Sequence, residues 1–271
     1  MNGRSFLFVP GDRPDRFPKA AASGADVVVF DLEDAVAVER KDEARDHVRA
    51  WLSDGNQAVV RINAAGTPWH DDDLAAVSVA AAVMVPKAEE PLDLGVPTIP
   101  LIETAAGVLN AVALCAAKSV LRPAFGSVDL AAQLGVDHRS HEALRHARST
   151  VVLAAAAAGC GTPIDGVTTA LDSPGALQAD LEHAITLGFT AKLCVHPRQV
   201  EAVNRAFTPS PAQLEWARAV VAVAENGAVS VHDGEMVDRP VVVRARAFLA
   251  VRRLARDALV AGQESGIHSI E

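Results

Sequence analysis

The chain has no tyrosine, three tryptophans and eight phenylalanines, so aromatic residues fill only 4% of its 271 positions. No tyrosine-based acid or nucleophile is open to it. Cysteine is scarce as well: Cys115, Cys160 and Cys194 are odd in number and far apart, and no Cys-x-x-Cys pair occurs. That argues against a disulfide framework or a zinc ribbon and reads the three as core residues. Positive charge is in deficit, with 25 Lys and Arg against 34 Asp and Glu and a net charge of −9. Non-specific nucleic-acid binding needs a basic surface, so it is disfavoured, but a local basic pocket for a small anion is not. Long apolar runs are missing too. Phe6–Val9 is too short for a secretory signal, and Ala154–Ala158 is too short and too small to span a membrane. The expectation is a soluble, cytoplasmic protein.

Half of the residues are apolar, enough for a large core without staples. Short apolar runs alternate with longer Ala-rich stretches of helical period. Strands are expected at Phe6–Val9, Asp26–Leu32, Ala58–Ile62, Ala82–Val85, Thr98–Ile102, Leu121–Phe125, Thr162–Ile164 and Lys192–Val195. Helices are expected at Arg16–Ser23, Val38–Leu52, Asp72–Ala81, Ala105–Lys118, His141–Ala158, Ala176–Leu187 and Pro197–Ala206. Several strands are continuously apolar, as parallel strands covered on both faces are. Eight such repeats predict an α/β fold, a (β/α)8 TIM barrel, over residues 1–207. An open doubly wound sheet is the alternative, but its Gly-x-Gly-x-x-Gly loop is absent. Residues 208–271 read as a C-terminal helical extension. It holds a helix at Ala212–Ala224, an irregular stretch at Asn226–Pro240, a last helix at about Val241–Ala261 and a frayed tail. With little apolar bulk of its own, the extension is expected to pack on the barrel or on a neighbouring subunit.

Polar residues fall where the apolar runs stop. The second strand runs into Asp31, Glu33 and Asp34, the third holds Arg61 and Asn63, and the fourth meets Lys87. The fifth meets Glu103, the sixth Gly126 and then Asp129, the seventh Asp165 and the eighth His196. In a barrel these strand ends converge on one mouth. Carboxylates crowded there repel one another unless a cation joins them, and a hard divalent ion with oxygen ligands, Mg2+ above all, resolves the conflict. Each residue also has a plainer reading. A lone Asp165 reads more readily as a cap or loop residue. Asp129 fits the first turn of a helix, and its pairing with Glu103 raises it to a ligand candidate. Arg61, within a strand, needs a buried anion: Asp31, Glu33 or a substrate carboxylate. Lys87 can pair with anions or form a Schiff base, and the carboxylate cluster favours pairing. His138, His141 and His146 lie among Arg139, Arg145 and Arg148 and read as a solvated helix face. No Gly-x-Ser-x-Gly elbow marks a serine nucleophile.

The runs FLFVPGDRP (6–14), DVVVFDLEDAV (26–36), VVRIN (59–63), MVPKAE (84–89), PLIETAAGV (100–108) and FGSVDLAAQLG (125–135) resemble the citrate lyase β-subunit-like proteins. So do IDGV (164–167), LCVHPRQV (193–200), AFTPS (206–210) and GEMVDRP (234–240). These belong with the HpcH/HpaI aldolases among the Mg2+-dependent β-hydroxyacyl-CoA lyases. The resemblance implies Mg2+ as cofactor, held by Glu103 and Asp129, with Glu33 and Asp34 acting through water. It implies that Arg61 meets substrate oxygens, and that the backbone from Gly126 through Val128 to Asp129 receives the carboxylate of a 2-oxo acid. Phe8, Arg13 and Lys19 then contact coenzyme A, and His196 and Pro197 lie by the thioester. Asp238 becomes the catalytic acid/base, delivered by a neighbouring subunit of a trimer, with Arg61 and Glu33 also in catalytic positions. The implied partners are an acyl-CoA thioester and a 2-oxo acid such as glyoxylate, pyruvate or oxaloacetate. The alternatives are a metal-dependent pyruvate aldolase without coenzyme A, or a carrier-dependent citryl lyase β subunit that is inactive alone. One departure stands out: only ten residues separate Lys87 from Thr98, and their two prolines allow a turn at most, so the fourth outer helix is expected to be lost.

Overall fold

The structure is a computed structural model and describes residues 3–224, 230–232 and 235–250. The chain divides into two compact units, one running through Arg205 and the other starting at Ala206.

The first unit is a closed barrel of eight parallel strands. These are β1 (Ser5–Pro10), β2 (Val27–Asp31), β3 (Val59–Arg61), β4 (Ala82–Val85), β5 (Thr98–Ile102), β6 (Ala124–Phe125), β7 (Ile164–Asp165) and β8 (Ala191–Cys194). Closure comes from β8 returning to β1, with Ser5 opposite Lys192 and Leu7 opposite Cys194. The TIM-barrel expectation therefore holds. The runs are continuously apolar because both faces are covered: Phe6, Val29, Val59, Met84, Ile99 and Ile164 are all inaccessible to solvent. Each contributes roughly 1.5–3 kcal/mol by leaving water.

Helices fill the connections. They are α1 (Phe17–Ala21), α2 (Lys41–Ser53), α3 (His70–Ala76), α4 (Ala105–Leu109), α5 (Ala111–Ala116), α6 (Ser127–Leu134), α7 (His141–Ala158), α8 (Pro174–Leu187) and α9 (Val200–Ala206). The helix expected at Ala105–Lys118 is broken at Asn110 into α4 and α5. No helix joins β4 to β5, as the proline-interrupted spacing predicted. Helix α6 was expected only as the first turn that Asp129 fits, since its eight residues are too few to show a clear period. Its stop signal was nevertheless present, because Gly135 closes it in the left-handed conformation at φ 70°.

Asp165 does not face the mouth as a free carboxylate. It is 1% exposed and accepts from Arg148 Nε at 2.8 Å and Lys192 Nζ at 2.9 Å. Arg148, read as part of a solvated face, is buried for the same reason. The two cations hold Asp165 below the usual carboxylate range although burial pushes the other way. His141 also differs from a solvated face: its Nε2 meets Asp180 of α8 at 2.7 Å and its ring stacks on His183 at 4.3 Å.

The second unit has a small core of its own, contrary to the expectation from its composition. Ala217, Val220, Val237 and Ala245 are buried, with Trp216 and Phe248 packed against them. Helix α10 (Pro211–Ala224) is followed by β9 (Ser230–His232) and β10 (Glu235–Val237), an antiparallel pair inside the stretch expected to be irregular. The backbone is helical over 239–250. The rest of the expected last helix and the tail at 262–271 lie outside the described residues. Among the described residues, no helix is long and apolar enough to cross a membrane.

The Asp165 triad yields a prediction about stability. Lys192→Met leaves Asp165 with one partner in a buried site, and Asp165→Asn leaves two buried cations short of an anion. Each should cost about 3–5 kcal/mol in urea unfolding. A loss below about 1 kcal/mol would show that the triad is replaceable.

Candidate active site

The loop after β2 is built around Asp31. This last residue of β2 is 1% exposed, and its Oδ1 accepts the Glu33 N–H at 2.8 Å. Strand register sets Arg61 of β3 beside Asp31. The guanidinium donates to both Asp31 oxygens, at 2.8 and 2.5 Å, and lies 3.0 Å from Glu33 Oε2. Phe8 presents its ring 4.8 Å from the same guanidinium. Burial pulls Arg61 down, but Asp31 and Glu33 more than offset it, so its charge is firmly held. Of the partners open from sequence, both carboxylates are in use.

Two further supports hold this loop, of which Lys41 and Asp73 escaped the sequence reading and Asn63 was read only as a polar residue at the end of the third strand. Lys41 Nζ donates to the carbonyls of Leu32 and Glu33, each at 2.7 Å. Asn63 Nδ2 donates to the Leu32 carbonyl at 2.9 Å and to Asp73 at 2.6 Å, and Asp73 accepts from Arg45 at 2.8 Å. Asp73 belongs to the run Asp71–Asp73, where only burial separates one carboxylate from its neighbours.

Glu103 follows β5 directly and is 3% exposed. Its Oε1 accepts the Lys87 N–H at 2.9 Å. Gly126 faces it so closely that a Cβ there would lie 2.5 Å from Oε2. Burial first, then the nearby charges of Asp129 and Glu33, push Glu103 up to about 8. Asp129 enters in the first turn of α6. Between them stands Lys87, in the left-handed region at φ 49° in the helix-free connection after β4. Its Nζ contacts Glu33 and lies 3.7 Å from both Asp34 and Asp129. Burial works against the ammonium, but Glu33 holds it charged.

The cavity at this mouth measures about 950 Å³. Phe8, Arg13, Lys19, Asp34, Arg61 and Glu103 line it, as do Gly126, Val128, Asp129, His196 and Pro197. Glu33 is not on the wall; it is buried between Arg61 and Lys87. Arg13 pairs with exposed Asp15 at 3.0 Å, and His196 Nδ1 accepts the Arg198 N–H at 3.1 Å, capping the turn Pro197–Gln199. Ser127 on the wall was missed by the sequence reading. Its Oγ is buried with no hydrogen-bond partner among the described residues. Asp238 belongs to the second unit, where its Oδ1 accepts the Val241 N–H at 3.3 Å and caps the helix over 239–250.

Among the described residues, no three carboxylate, histidine or cysteine side chains close on one point. Glu103 and Asp129 instead offer two hard oxygen donors, with room for waters or a ligand. That donor set suits Mg2+, which keeps several waters. The buried Glu103 carboxyl, pushed up to about 8 with no cation in direct side-chain contact, also fits a divalent ion.

The Glu103 shift predicts a pH dependence. The folded chain keeps this carboxyl protonated, whereas the unfolded chain releases its proton above about 4.5. The folded state therefore holds more protons between those values, and its stability falls as pH rises from about 4.5 to about 8. The slope from this group is at most about 1.4 kcal/mol per pH unit. In urea unfolding with chelator present, Glu103→Gln should be less pH-dependent than the parent by that amount; parallel profiles would refute the assignment.

The family model described as HpcH/HpaI aldolase/citrate lyase matches residues 4–96 and 95–197. A citrate lyase subunit beta-like protein of Mycobacterium tuberculosis is 40% identical over 265 residues, covering 91% of this chain and 94% of the relative. A (3S)-malyl-CoA thioesterase of Cereibacter sphaeroides is 36% identical over 267 residues, covering 91% and 93%. The crystal structure of CitE from M. tuberculosis with magnesium, acetoacetate and coenzyme A is 37% identical, with a TM-score of 0.78 over 93% of this chain and 98% of that one. A second structure from the same organism, a citrate lyase beta subunit with oxaloacetate and magnesium, is 38% identical with a TM-score of 0.68, covering 77% and 98%. With sequence, fold and a carboxylate-lined mouth in agreement, this chain belongs to the HpcH/HpaI aldolase/citrate lyase family.

Proposed function

We propose that this protein is a Mg2+-dependent carbon–carbon lyase. It cleaves or forms a β-hydroxyacyl-CoA, exchanging it with acetyl- or propionyl-CoA and a 2-oxo acid such as glyoxylate, pyruvate or oxaloacetate. The observation that carries this reading is one cavity that combines two hard oxygen donors, Glu103 and Asp129, with the cations Arg13, Arg16 and Lys19 on its wall. The first pair suits a metal with an oxo acid, and the cations suit the phosphates of coenzyme A. The relatives crystallised with magnesium, oxaloacetate and coenzyme A support the same pairing of ligands.

When bound, Mg2+ would act as a Lewis acid on the carbonyl of the oxo acid. Glu103 and Asp129 would hold it, and Asp34, with Glu33 behind the wall, would act on it through water. The backbone from Gly126 through Val128 to Asp129, with the N–H of Gly126 itself held by the Ile102 carbonyl, receives the carboxylate of the oxo acid together with the unpartnered Ser127 hydroxyl. Arg61 stabilises the developing alkoxide; its aim is fixed by Asp31 and Glu33, so little reorganisation is needed as charge builds. Phe8 packs beside Arg61, and Arg13 and Lys19 face the coenzyme A phosphates, with His196 and Pro197 at the thioester. Asp238, supplied by a neighbouring copy in a homotrimer, takes a proton from the α-carbon of the acyl group during bond formation and returns it during cleavage. Its carboxylate is a weak base for that carbon, so its value depends on being held close and aligned.

A second reading adds a hydrolytic step after cleavage. The thioesterase relatives favour hydrolysis of the thioester at the same site. Appearance of free coenzyme A alongside the oxo acid would support it.

The test is a mass-spectrometric screen of β-hydroxyacyl-CoA thioesters with Mg2+, watching for acetyl-CoA or propionyl-CoA. Asp238→Asn should lose at least about 100-fold in turnover, the usual contribution of a positioned acid/base, with Mn2+ affinity unchanged. Glu103→Gln should lose both. Turnover of free hydroxy-oxo acids but of no coenzyme A ester would favour the aldolase alternative. Binding without turnover of any ester would favour a carrier-dependent subunit.

Gly126→Ala probes the geometry alone. Its methyl group must displace the Glu103 side chain. Mn2+ affinity, read by paramagnetic resonance, should fall at least about tenfold, or about 1.4 kcal/mol. Unchanged affinity would separate Glu103 from the metal.

A further inference from the structure

The loop after β8 carries His196 and Pro197 on the cavity wall, and the loop after β7 carries Val167 on the same wall. One side chain joins the two loops. Gln199 is 5% exposed, and both ends of its amide are engaged. Its Oε1 accepts the Val195 N–H at 2.9 Å and the His196 N–H at 3.3 Å, while Nε2 donates to the Thr168 carbonyl at 2.8 Å. A glutamine can do this because its neutral amide accepts at one atom and donates at the other. The strand ends below are tied without it, since Lys192 Nζ meets Asp165 at 2.9 Å and the Gly166 carbonyl at 2.6 Å. Gln199 acts one layer higher, on the loops that form the wall.

The Thr168 end of this tie is itself anchored. Thr168 is 4% exposed, and its hydroxyl donates to Asp180 Oδ2 of α8 at 2.5 Å. The other Asp180 oxygen takes His141 Nε2 of α7 at 2.7 Å. Thr169, the next residue, meets His138 Nε2 at 2.9 Å. Two outer helices thus fix the residue whose carbonyl Gln199 binds. At the other end stands His196. Its N–H is held by Gln199, and its ring Nδ1 accepts the Arg198 N–H at 3.1 Å, the reciprocal half of a capping box. A bare Nδ1 places the proton of the neutral imidazole on Nε2. The backbone and the tautomer of His196 are therefore both set, and the ring donor this residue offers at the cavity wall is its Nε2–H.

We propose that Gln199 is a positioning residue for the lyase reaction: by locking the loop after β8 onto the loop after β7, it holds His196, with its proton on Nε2, against the thioester oxygen of the acyl-CoA. This rests on the reading of the cavity given above. When the α-carbon loses its proton to the Asp238 carboxylate, the C–H electron pair becomes the enolate double bond and the carbonyl π pair moves onto the thioester oxygen. A neutral N–H already aimed at that oxygen stabilises the charge without reorganisation, whereas a donor on a loose loop must first be ordered.

Gln199→Glu separates the tie from the cap. Its carboxylate keeps an oxygen for the Val195 and His196 N–H groups but sets the other against the Thr168 carbonyl. With a β-hydroxyacyl-CoA that the parent turns over, the variant should lose at least about tenfold in kcat, with affinities for Mn2+ and for free coenzyme A unchanged. Thr168→Val, which removes only the anchor at Asp180, should lose kcat in the same direction. The second readout needs no turnover. In protein isotope-labelled at the histidine ring nitrogens and assigned with His196→Gln, magnetic resonance should show a bare Nδ1 and a protonated Nε2 on His196. Acetyl-CoA should shift the Nε2–H signal, free coenzyme A should not, and Gln199→Glu should abolish the response. A parent that shows this shift but cleaves no ester would refute the lyase reaction and keep His196 at the thioester. A parent that turns over without the shift would overturn the positioning role and leave the lyase reaction standing. So would a Gln199→Glu variant, folded by circular dichroism, with the parent's kcat and shift, or one whose Mn2+ affinity falls along with kcat. If Gln199→Glu does not fold, Thr168→Val with the parent's kcat and shift would overturn the proposal.

Discussion

Charge compensation at the barrel mouth governs this structure. Asp31, Glu33, Asp34, Glu103 and Asp129 converge because the strand register brings their strand ends together. So many carboxylates held in reduced dielectric cannot all stay charged unaided. Arg61 answers Asp31 and Glu33 on one side, and Lys87 answers Glu33 on the other. Among the described residues Glu103 receives only a backbone N–H, and its burial raises its proton affinity. The divalent cation of the proposed chemistry supplies the charge that this arrangement lacks.

The connection between β4 and β5 shows how a change in the outer shell can leave such a site intact. A helix is absent there, yet Lys87 uses both its backbone and its side chain at the mouth: the N–H orients Glu103 and the ammonium orients Glu33. Its left-handed backbone, rare for a residue with a Cβ, is what lets one residue do both. The short loop holds Lys87 in a conformation that costs on the order of 1–3 kcal/mol, offset by these contacts.

The barrel was legible in the sequence because its signal is local. Every strand is a short apolar run, and charged residues mark where each run ends at the mouth. Glu103 and Asp129 could be read as a pair for that reason. The features that escaped depend on tertiary pairing. Asp165 and Glu103 look alike in sequence, each a carboxylate after an apolar run, and only the approach of Arg148 and Lys192 tells them apart. Lys41 and Asp73 support the loop after β2 from positions with no motif, Asn63 stands in the VVRIN run but its partner Asp73 does not, and the acidic partner of His141 arrives from another helix. The β9–β10 hairpin was hidden because three-residue strands carry too little alternation to register.

Asp165 and Glu103 also show what separates a structural charge from a chemical one. Asp165 is fully buried but meets two cations, so its own charge is compensated and its proton affinity falls. A compensated charge of this kind holds β7, β8 and α7 together and has no capacity for a ligand. Glu103 is buried almost as deeply, but its network is open, and its proton affinity rises. The cations differ in the same way: Arg61 is paired with two carboxylates and serves as a fixed field, whereas Arg122 meets neutral acceptors among the described residues. In this barrel, burial alone does not separate a structural carboxylate from a chemical one; incomplete charge compensation at the mouth does.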